Sequence, residues 1–392
     1  MDHSILYQNA DSSVLLIDIP RSIEAAQTQS QSQGTNPFPK RRRLVSSKPL
    51  TQPYPSVEPK SAKAKANITA PSLQELLFRK HLEFTLEDVR AGYHGGWCLP
   101  RVVDRPPPDE CVPRKKPKRD EGLNEDSNAE NVDSSISQPL DRLEILDPNG
   151  LLYTNPSSKP VSIAIAGEES PISIPPDATF LLGEISNMLE IFKTSAPHFD
   201  FVALDPPWPN RSARRKKDYS ISYGPTEIRQ LLSSIPLYGH LKDDGIIAVW
   251  ITNKESFREM VLGPGGLFEE WGVCLVEEWI WIKTTVDGEP ISALDSVWRK
   301  PYEILLVGRR GAVAGDVKRR VIIGVPDLHS RKPNLKYLFE TVMRNDEVWD
   351  EETGKRKYEA LEIFARNLTA RWWSWGIEVL KFQKEECWVD EE

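Results

Sequence analysis

Cysteine is scarce in this chain and badly placed for metal binding: Cys98, Cys111, Cys274 and Cys387 are scattered and none forms a CxxC pair. The expectation is a reduced intracellular protein with no metal site. Long apolar runs are missing as well. No stretch approaches the roughly 20 residues that a bilayer requires, and the start, with Asp2 and His3, lacks the basic-then-apolar pattern of a signal peptide, so a soluble protein away from membranes is expected. Nor is there an excess of positive charge. Lys and Arg number 50 against 58 Asp and Glu, a formal net charge of −8, which argues against a nonspecific nucleic-acid coat. No Gly-rich cofactor loop precedes residue 205, which disfavours a plain dinucleotide enzyme, and no internal repeat is visible.

What is present is the tetrapeptide Asp205, Pro206, Pro207, Trp208, closing an apolar run from Phe199 to Leu204 that reads as a buried strand. The string fits methyl transfer to the exocyclic amine of adenine, cytosine or glutamine, whose nitrogen lone pair is delocalised and weakly nucleophilic. Asp205 at the strand end and the Pro206 carbonyl can accept both N–H bonds and draw the nitrogen toward tetrahedral geometry. Two prolines fix φ and carry no N–H, so the turn is rigid. The Trp208 indole offers a face for a flat ring.

Further apolar segments at Gly245 to Thr252, Val273 to Lys283, Tyr302 to Val307, Arg320 to Val325 and Tyr358 to Ala365 read as strands, with helical patterns at Thr226 to Ser234, Glu255 to Val261 and Leu335 to Met343. This alternation predicts an α/β fold with a mostly parallel sheet covered on both faces. Ligands of such sheets bind beyond the carboxyl ends of the strands, where Asp205 would lie. Residues 139–182 read as a small β-rich lead-in to a catalytic domain spanning 139–392. Residues 1–70, rich in Ser, Gln, Pro and Lys, are expected to be disordered. Residues 71–98, with Ser72 as N-cap before Leu73, Leu76, Leu77, Leu82, Phe84, Leu86 and Val89, are expected to be helical, and 99–138 a flexible linker. The basic runs Lys40-Arg41-Arg42-Arg43 and Arg114-Lys115-Lys116-Pro117-Lys118-Arg119 read as nuclear import signals.

Downstream lie Glu278-Trp279-Ile280-Trp281-Ile282-Lys283-Thr284, Lys300-Pro301-Tyr302-Glu303, His329-Ser330-Arg331-Lys332-Pro333, Glu362-Ile363-Phe364-Ala365-Arg366-Asn367-Leu368 and Trp373-Ser374-Trp375-Gly376. Together with Asp205 to Trp208, this ordered set resembles the MT-A family of adenine N6-methyltransferases, in its methyltransferase-like 4 branch, over roughly residues 178 to 383. The resemblance implies a Rossmann-like methyltransferase with permuted motif order, S-adenosyl-L-methionine as cofactor, and a nucleic-acid adenine as target. For this branch the implied targets are a small nuclear RNA, including an adenosine that carries a ribose 2′-O-methyl, and DNA adenine, so the resemblance alone leaves RNA or DNA open. It also implies a site: Glu184 and Ile185 beside the cofactor adenine, Lys332 and Asp205 at its methionine end, and Arg366, Asn367, Gly376 and Glu378 around its ribose. Trp281 and Lys283 would face the target base, with Trp208 and Trp281 or a tyrosine sandwiching it. Three positions depart from the pattern: Glu184 replaces Asp, Arg331 replaces His, and Ile377 replaces Asn. The first two keep the chemistry, while the third removes a ribose hydrogen bond of about 1 kcal/mol. Trp250, Trp271, Trp279 and Trp298 are assigned to packing, and His329 is given no proton-transfer role.

After Trp208, the segment Asn210, Arg211, Ser212, Arg214, Arg215, Lys216, Lys217 brings five cations beside the active strand, and Tyr219 and Tyr223 can stack on a base. A base held in that way must be single-stranded or flipped out. The leading reading is a monomeric nuclear enzyme that prefers RNA. DNA as substrate, a catalytically silent nucleic-acid-binding member, and methylation of a protein glutamine are the alternatives.

Overall fold

The computed structural model describes residues 4–28, 42–55, 70–103, 142–143, 150–165, 170–209, 224–296, 299–313, 315–328, 331–343 and 358–391. Its strands, in chain order, are β1 (Ile5–Gln8), β2 (Val14–Ile17), β3 (Arg42–Leu44), β4 (Arg142–Leu143), β5 (Leu151–Thr154), β6 (Val161–Ile165), β7 (Ile172–Ile174) and β8 (Thr179–Leu182). They continue with β9 (Phe199–Leu204), β10 (Leu241–Ile251), β11 (Val273–Lys283), β12 (Tyr302–Arg310), β13 (Lys318–Gly324), β14 (Ala360–Ile363), β15 (Trp373–Gly376) and β16 (Trp388–Asp390). Eleven of them form one sheet in the order β1-β2-β13-β11-β12-β10-β9-β14-β15-β8-β5. β1, β12 and β5 run against the other eight, so the sheet is mixed but mostly parallel. The strand period of two sorts its side chains onto two cores. Val202, Leu204, Ile247 and Val249 face one side, under the helices Ile185–Ser195, Pro225–Ser234 and Glu255–Leu262. Phe201, Ala203, Ile246, Ala248 and Trp250 face the other, against Leu335, Leu338 and Phe339. The helical pattern expected at Leu335 to Met343 is a short α turn, Lys336–Leu338, running into a π turn, Phe339–Met343.

Residues 4–28 depart from expectation. They were read as disordered, yet β2 lies inside the sheet, paired with β13 through Val14–Val321, Leu15–Ile322 and Leu16–Ile323, and helix α1 (Ile19–Ala26) follows it. Composition averaged over seventy residues hides a short apolar block, Val14 to Ile17, diluted by Ser, Gln and Pro on either side. The tertiary setting supplies what local composition does not, because Leu15 and Leu16 are fully buried. Farther on, Ser72 caps the helix Leu73–Gly92 by accepting from the Glu75 N–H at 3.1 Å. Leu82, Leu86 and Val89 of that helix pack against Ile280, Ile282, Val321 and Ile323. The 99–138 segment falls largely outside the described residues. Among the described residues no helix is long and apolar enough to cross a membrane.

Candidate active site

Parallel strands carry their chemistry at their carboxyl ends, and here one edge of the sheet gathers it all. Asp205 follows β9, Arg366 and Asn367 follow β14, Glu378 follows β15, Glu184 and Ile185 follow β8, Lys332 follows β13, and Lys283 ends β11. Glu303 stands at the start of β12, which runs the other way, so it reaches the same edge. β9 sits between β10, its successor in the chain, and β14, which arrives much later, so Asp205 marks the point where strand order reverses. A cleft of about 580 Å³, counted out to its mouth, opens there. Asp205, Trp250, Arg331, Lys332, Glu362, Phe364, Arg366 and Asn367 line it, with Ile23 contributed by α1.

A charge relay across the cleft floor fixes the reactive group. Lys332 Nζ donates to both Asp205 oxygens at 2.9 Å and lies 3.2 Å from Glu303, which also pairs with Lys283. Burial alone would raise the Glu303 carboxyl, but the two lysines outweigh it and hold it near about 2. Burial likewise works against the Lys332 ammonium, yet Asp205 and Glu303 overrule it and keep the lysine charged well above its usual range. A carboxylate offers about four lone-pair directions, so Asp205 can satisfy Lys332 and still accept from an incoming amine. The Pro206 carbonyl takes the Trp208 backbone N–H at 2.8 Å and retains one lone pair.

Stacking is arranged differently from the sequence expectation. Trp208 is buried, stacks on Phe257 with ring centroids 4.7 Å apart, and donates its indole N–H to the Trp250 carbonyl at 2.7 Å. Trp281 is 2% exposed and packs edge-on against Trp250. Neither ring offers a free face, so the Trp208–Trp281 sandwich is not formed; apolar neighbours on both sides of the sheet claim these indoles instead. Trp250, assigned from sequence to packing alone, is the tryptophan that lines the cleft beside Asp205. Lys283 Nζ lies 4.6 Å from the Trp281 ring centroid and is committed to Glu303. Asn210, Arg211, Ser212, Arg214, Arg215, Lys216, Lys217, Tyr219 and Tyr223 lie outside the described residues, as do Trp298 and His329.

The donor set suits S-adenosylmethionine. Arg331, 3% exposed, gives one nitrogen to the Val45 carbonyl and to Asp327, while its Nε and Nη2 are buried at the cleft wall without a partner. Such an orphaned guanidinium edge matches a carboxylate. Arg366 pairs with Glu378 at 3.0 Å, Asn367 is buried beside them, and exposed Glu184 makes no capping bond at the head of its helix. Glu184, Ile185, Gly376 and Glu378 stand farther along the same edge, outside the cleft wall, where Leu182 and Gly376 are cross-strand partners. A Cβ on Gly376 would sit 3.2 Å from the Ala365 carbonyl, so glycine lets β15 approach the turn that carries Arg366. Ile377 is exposed and offers no polar atom. Phe364 holds φ at +62°, a conformation strained for an aromatic residue.

Glu303, Glu362, Trp250 and Ile23 were given no site role from sequence. The two acids carried a signal: each interrupts an otherwise apolar strand, and a carboxylate in that position requires a partner or a ligand.

Comparison with known proteins agrees with this edge. The MT-A70 family model matches residues 199–378, the stretch from β9 to just beyond β15. The N6-methyladenosine RNA methyltransferase MTA1 of Cryphonectria parasitica is 40% identical over 392 residues, covering 99% of this chain and 94% of that one. The protein of the same name from Pyricularia oryzae is 34% identical over 410 residues, covering 99% and 97%. The N(6)-adenine-specific methyltransferase METTL4 of Mus musculus is 34% identical over 257 residues, 62% of this chain and 50% of its own length. With Asp205 at the reversal point of the sheet and likeness running through the N-terminal segment as well, the chain belongs to the MT-A70 family.

Proposed function

We infer that the protein transfers a methyl group from S-adenosylmethionine to the N6 amine of an unpaired RNA adenosine. The observation that carries this reading is Asp205, held by Lys332 yet with lone pairs to spare, at the floor of a cleft with an unpartnered Arg331 edge in its wall. Bound there, the cofactor supplies an electrophilic methyl group. Asp205 and the Pro206 carbonyl accept the N–H bonds of the target amine and draw its lone pair out of conjugation. Lys332 holds the carboxylate in place, so no reorganisation is needed during transfer. The proton shed by the methylated nitrogen passes to Asp205 or to water. Trp250 and Phe364 keep the path dry. Full-length likeness to two proteins named as RNA methyltransferases supports RNA over DNA, and chemistry adds that unpaired RNA presents splayed bases without the cost of opening a duplex. A small nuclear RNA adenosine, with or without a ribose 2′-O-methyl, and action as a monomer in the nucleus complete the proposal. For import, the run at 114–119 is the better signal, because Arg43 is tied to Glu24, Glu391 and the Pro100 carbonyl and Arg42 to Asp390.

Incubation with labelled cofactor and matched single-stranded RNA and DNA oligonucleotides, followed by nucleoside mass spectrometry, is expected to yield N6-methyladenosine faster on RNA. Equal or greater turnover on DNA would make DNA the primary substrate. Replacing Arg214, Arg215, Lys216 and Lys217 with Ala is expected to weaken RNA binding and flatten its salt dependence by up to about three units of slope, since each single-strand phosphate contact contributes about 0.7. Cofactor affinity should be unchanged, and an unaltered salt slope would remove this loop from the nucleic-acid contact.

A further inference from the structure

Methyl transfer is a displacement, with acceptor nitrogen, methyl carbon and cofactor sulfur in line, so the acceptor reaches Asp205 from the side opposite the cofactor. The cleft runs from Asp205 toward β14, through Glu362, Phe364, Arg366 and Asn367. The opposite side belongs to β10, β12 and β11, and there residues 284–301 form the loop that joins Lys283 to the strand of Glu303. Segments remote from the family motifs grip this loop. The Val286 N–H donates to the Leu50 carbonyl at 2.9 Å, the Tyr54 N–H to the Ile291 carbonyl at 2.8 Å, and the Ile291 N–H to the Lys283 carbonyl at 3.0 Å. Arg90 donates to the Gly288 carbonyl at 2.7 Å, and Lys300 pairs with Glu75 at 3.0 Å. Gly288 holds φ at +77°, and a Cβ there would meet the Trp97 ring at 2.5 Å, so glycine lets that indole close over the turn.

On this loop Arg299 rests on the Tyr54 ring, 4.4 Å from its centroid, and both residues are exposed. Arg258, Arg309 and Arg319 are each tied to a carboxylate. Among the described residues no carboxylate or carbonyl meets the Arg299 guanidinium. The loop also carries Asp287, Glu289 and Asp295, so charge alone does not make it a phosphate surface. What it offers is a flat cationic plane that faces solvent, and unpaired bases stack on guanidinium planes and aromatic rings. We propose that the Arg299–Tyr54 pair is a stacking platform for a nucleotide flanking the target in a single-stranded RNA. The proposal rests on the reading of the acceptor as a nucleic-acid adenosine and names a contact outside the base pocket. β11 stands three strands from β9, roughly 14 Å at the spacing of hydrogen-bonded strands, too far for the base on Asp205 and within the span of its neighbours along the chain. Tyr54 holds the guanidinium plane, and the flanking base packs on its outer face.

Fluorescence anisotropy of a fluorescein-labelled single-stranded oligoriboadenylate tests this on the full-length protein. Tyr54→Ala is expected to weaken binding about tenfold, within the range for the loss of one stacked base. Tyr54→Phe, which keeps the ring, should bind as the wild type does. Arg299→Lys keeps the charge and loses the plane, so it should weaken binding several-fold while the slope of log affinity against log salt stays the same. Tyr238→Ala is the control. Tyr238 is also exposed and also carries an arginine, Arg310 at 4.6 Å, but it precedes β10, at the end of the sheet remote from Asp205, and its removal should leave affinity unchanged. Wild-type affinity in Tyr54→Ala or Arg299→Lys, or an equal loss in Tyr238→Ala, would overturn the platform and leave the nucleic-acid reading in place. No binding by the wild type would overturn that reading, and the platform with it.

Discussion

Asp205→Ala is expected to abolish methyl transfer, lowering single-turnover rate by at least about 10³-fold, while the protein remains folded. The magnitude follows from losing a preorganised acceptor aimed at the reacting nitrogen, a contribution of roughly 3–4 kcal/mol in comparable sites. The fold survives because the Asp205 side chain is 26% exposed and packs against no core cluster. Lys332 keeps Glu303 at 3.2 Å, so its charge is not stranded, and the stability loss should stay near about 1 kcal/mol. Asp205→Asn separates orientation from charge: the amide oxygen can still accept from Lys332, but its NH₂ then points a donor at a substrate that needs an acceptor. Transfer should fail in both variants. Substantial turnover in either, alongside an unchanged melting curve, would remove Asp205 from the reaction.

The second large effect concerns a region remote from the family motifs. Leu16→Ala is expected to cost about 2–5 kcal/mol, the range for emptying a fully buried leucine site, because Leu16 packs against Ile280, Ile282, Val321 and Ile323. Deleting residues 1–28 should go further and leave no cooperatively folding protein. The deletion uncovers the β13 edge from Val321 to Ile323 and takes away Ser22 and Thr28, which accept from the Asn334 N–H and from Lys336 Nζ. It also removes Ile23 from the cleft wall. Urea unfolding followed by tryptophan fluorescence reads both variants. A truncated chain with the full-length midpoint and cofactor affinity would show that the N-terminal segment is a passenger.

The central sheet was legible because its strands announce themselves locally. Phe199–Leu204 and Val273–Lys283 are apolar runs bounded by polar turns, and the structure gives them those limits. Asp205, Lys332 and Arg366 were readable as an ordered motif set, and all three reach the cleft. What escaped depends on partners far away in sequence. Val14 to Ile17 is too short to declare a strand until β13 supplies the other half of its hydrogen bonds. Trp208 and Trp250 are equally large and apolar, and only the sheet register decides that Trp208 turns into one core beside Phe257 while Trp250 faces the cleft. Glu303 reached the site only because β12 runs antiparallel, a direction no local pattern encodes.

The β2–β13 pairing also sets a timetable for synthesis. Val14 leaves the ribosome about 300 residues ahead of Val321, its partner. At roughly 5–20 residues per second, that gap lasts roughly 15–60 s. Throughout it, Leu15, Leu16 and Ile17 are an apolar strand with no sheet to join, open to pairing with the same segment of another nascent chain. Shielding these few residues during translation is therefore expected to raise the soluble yield, and slowing elongation to lower the soluble fraction rather than raise it.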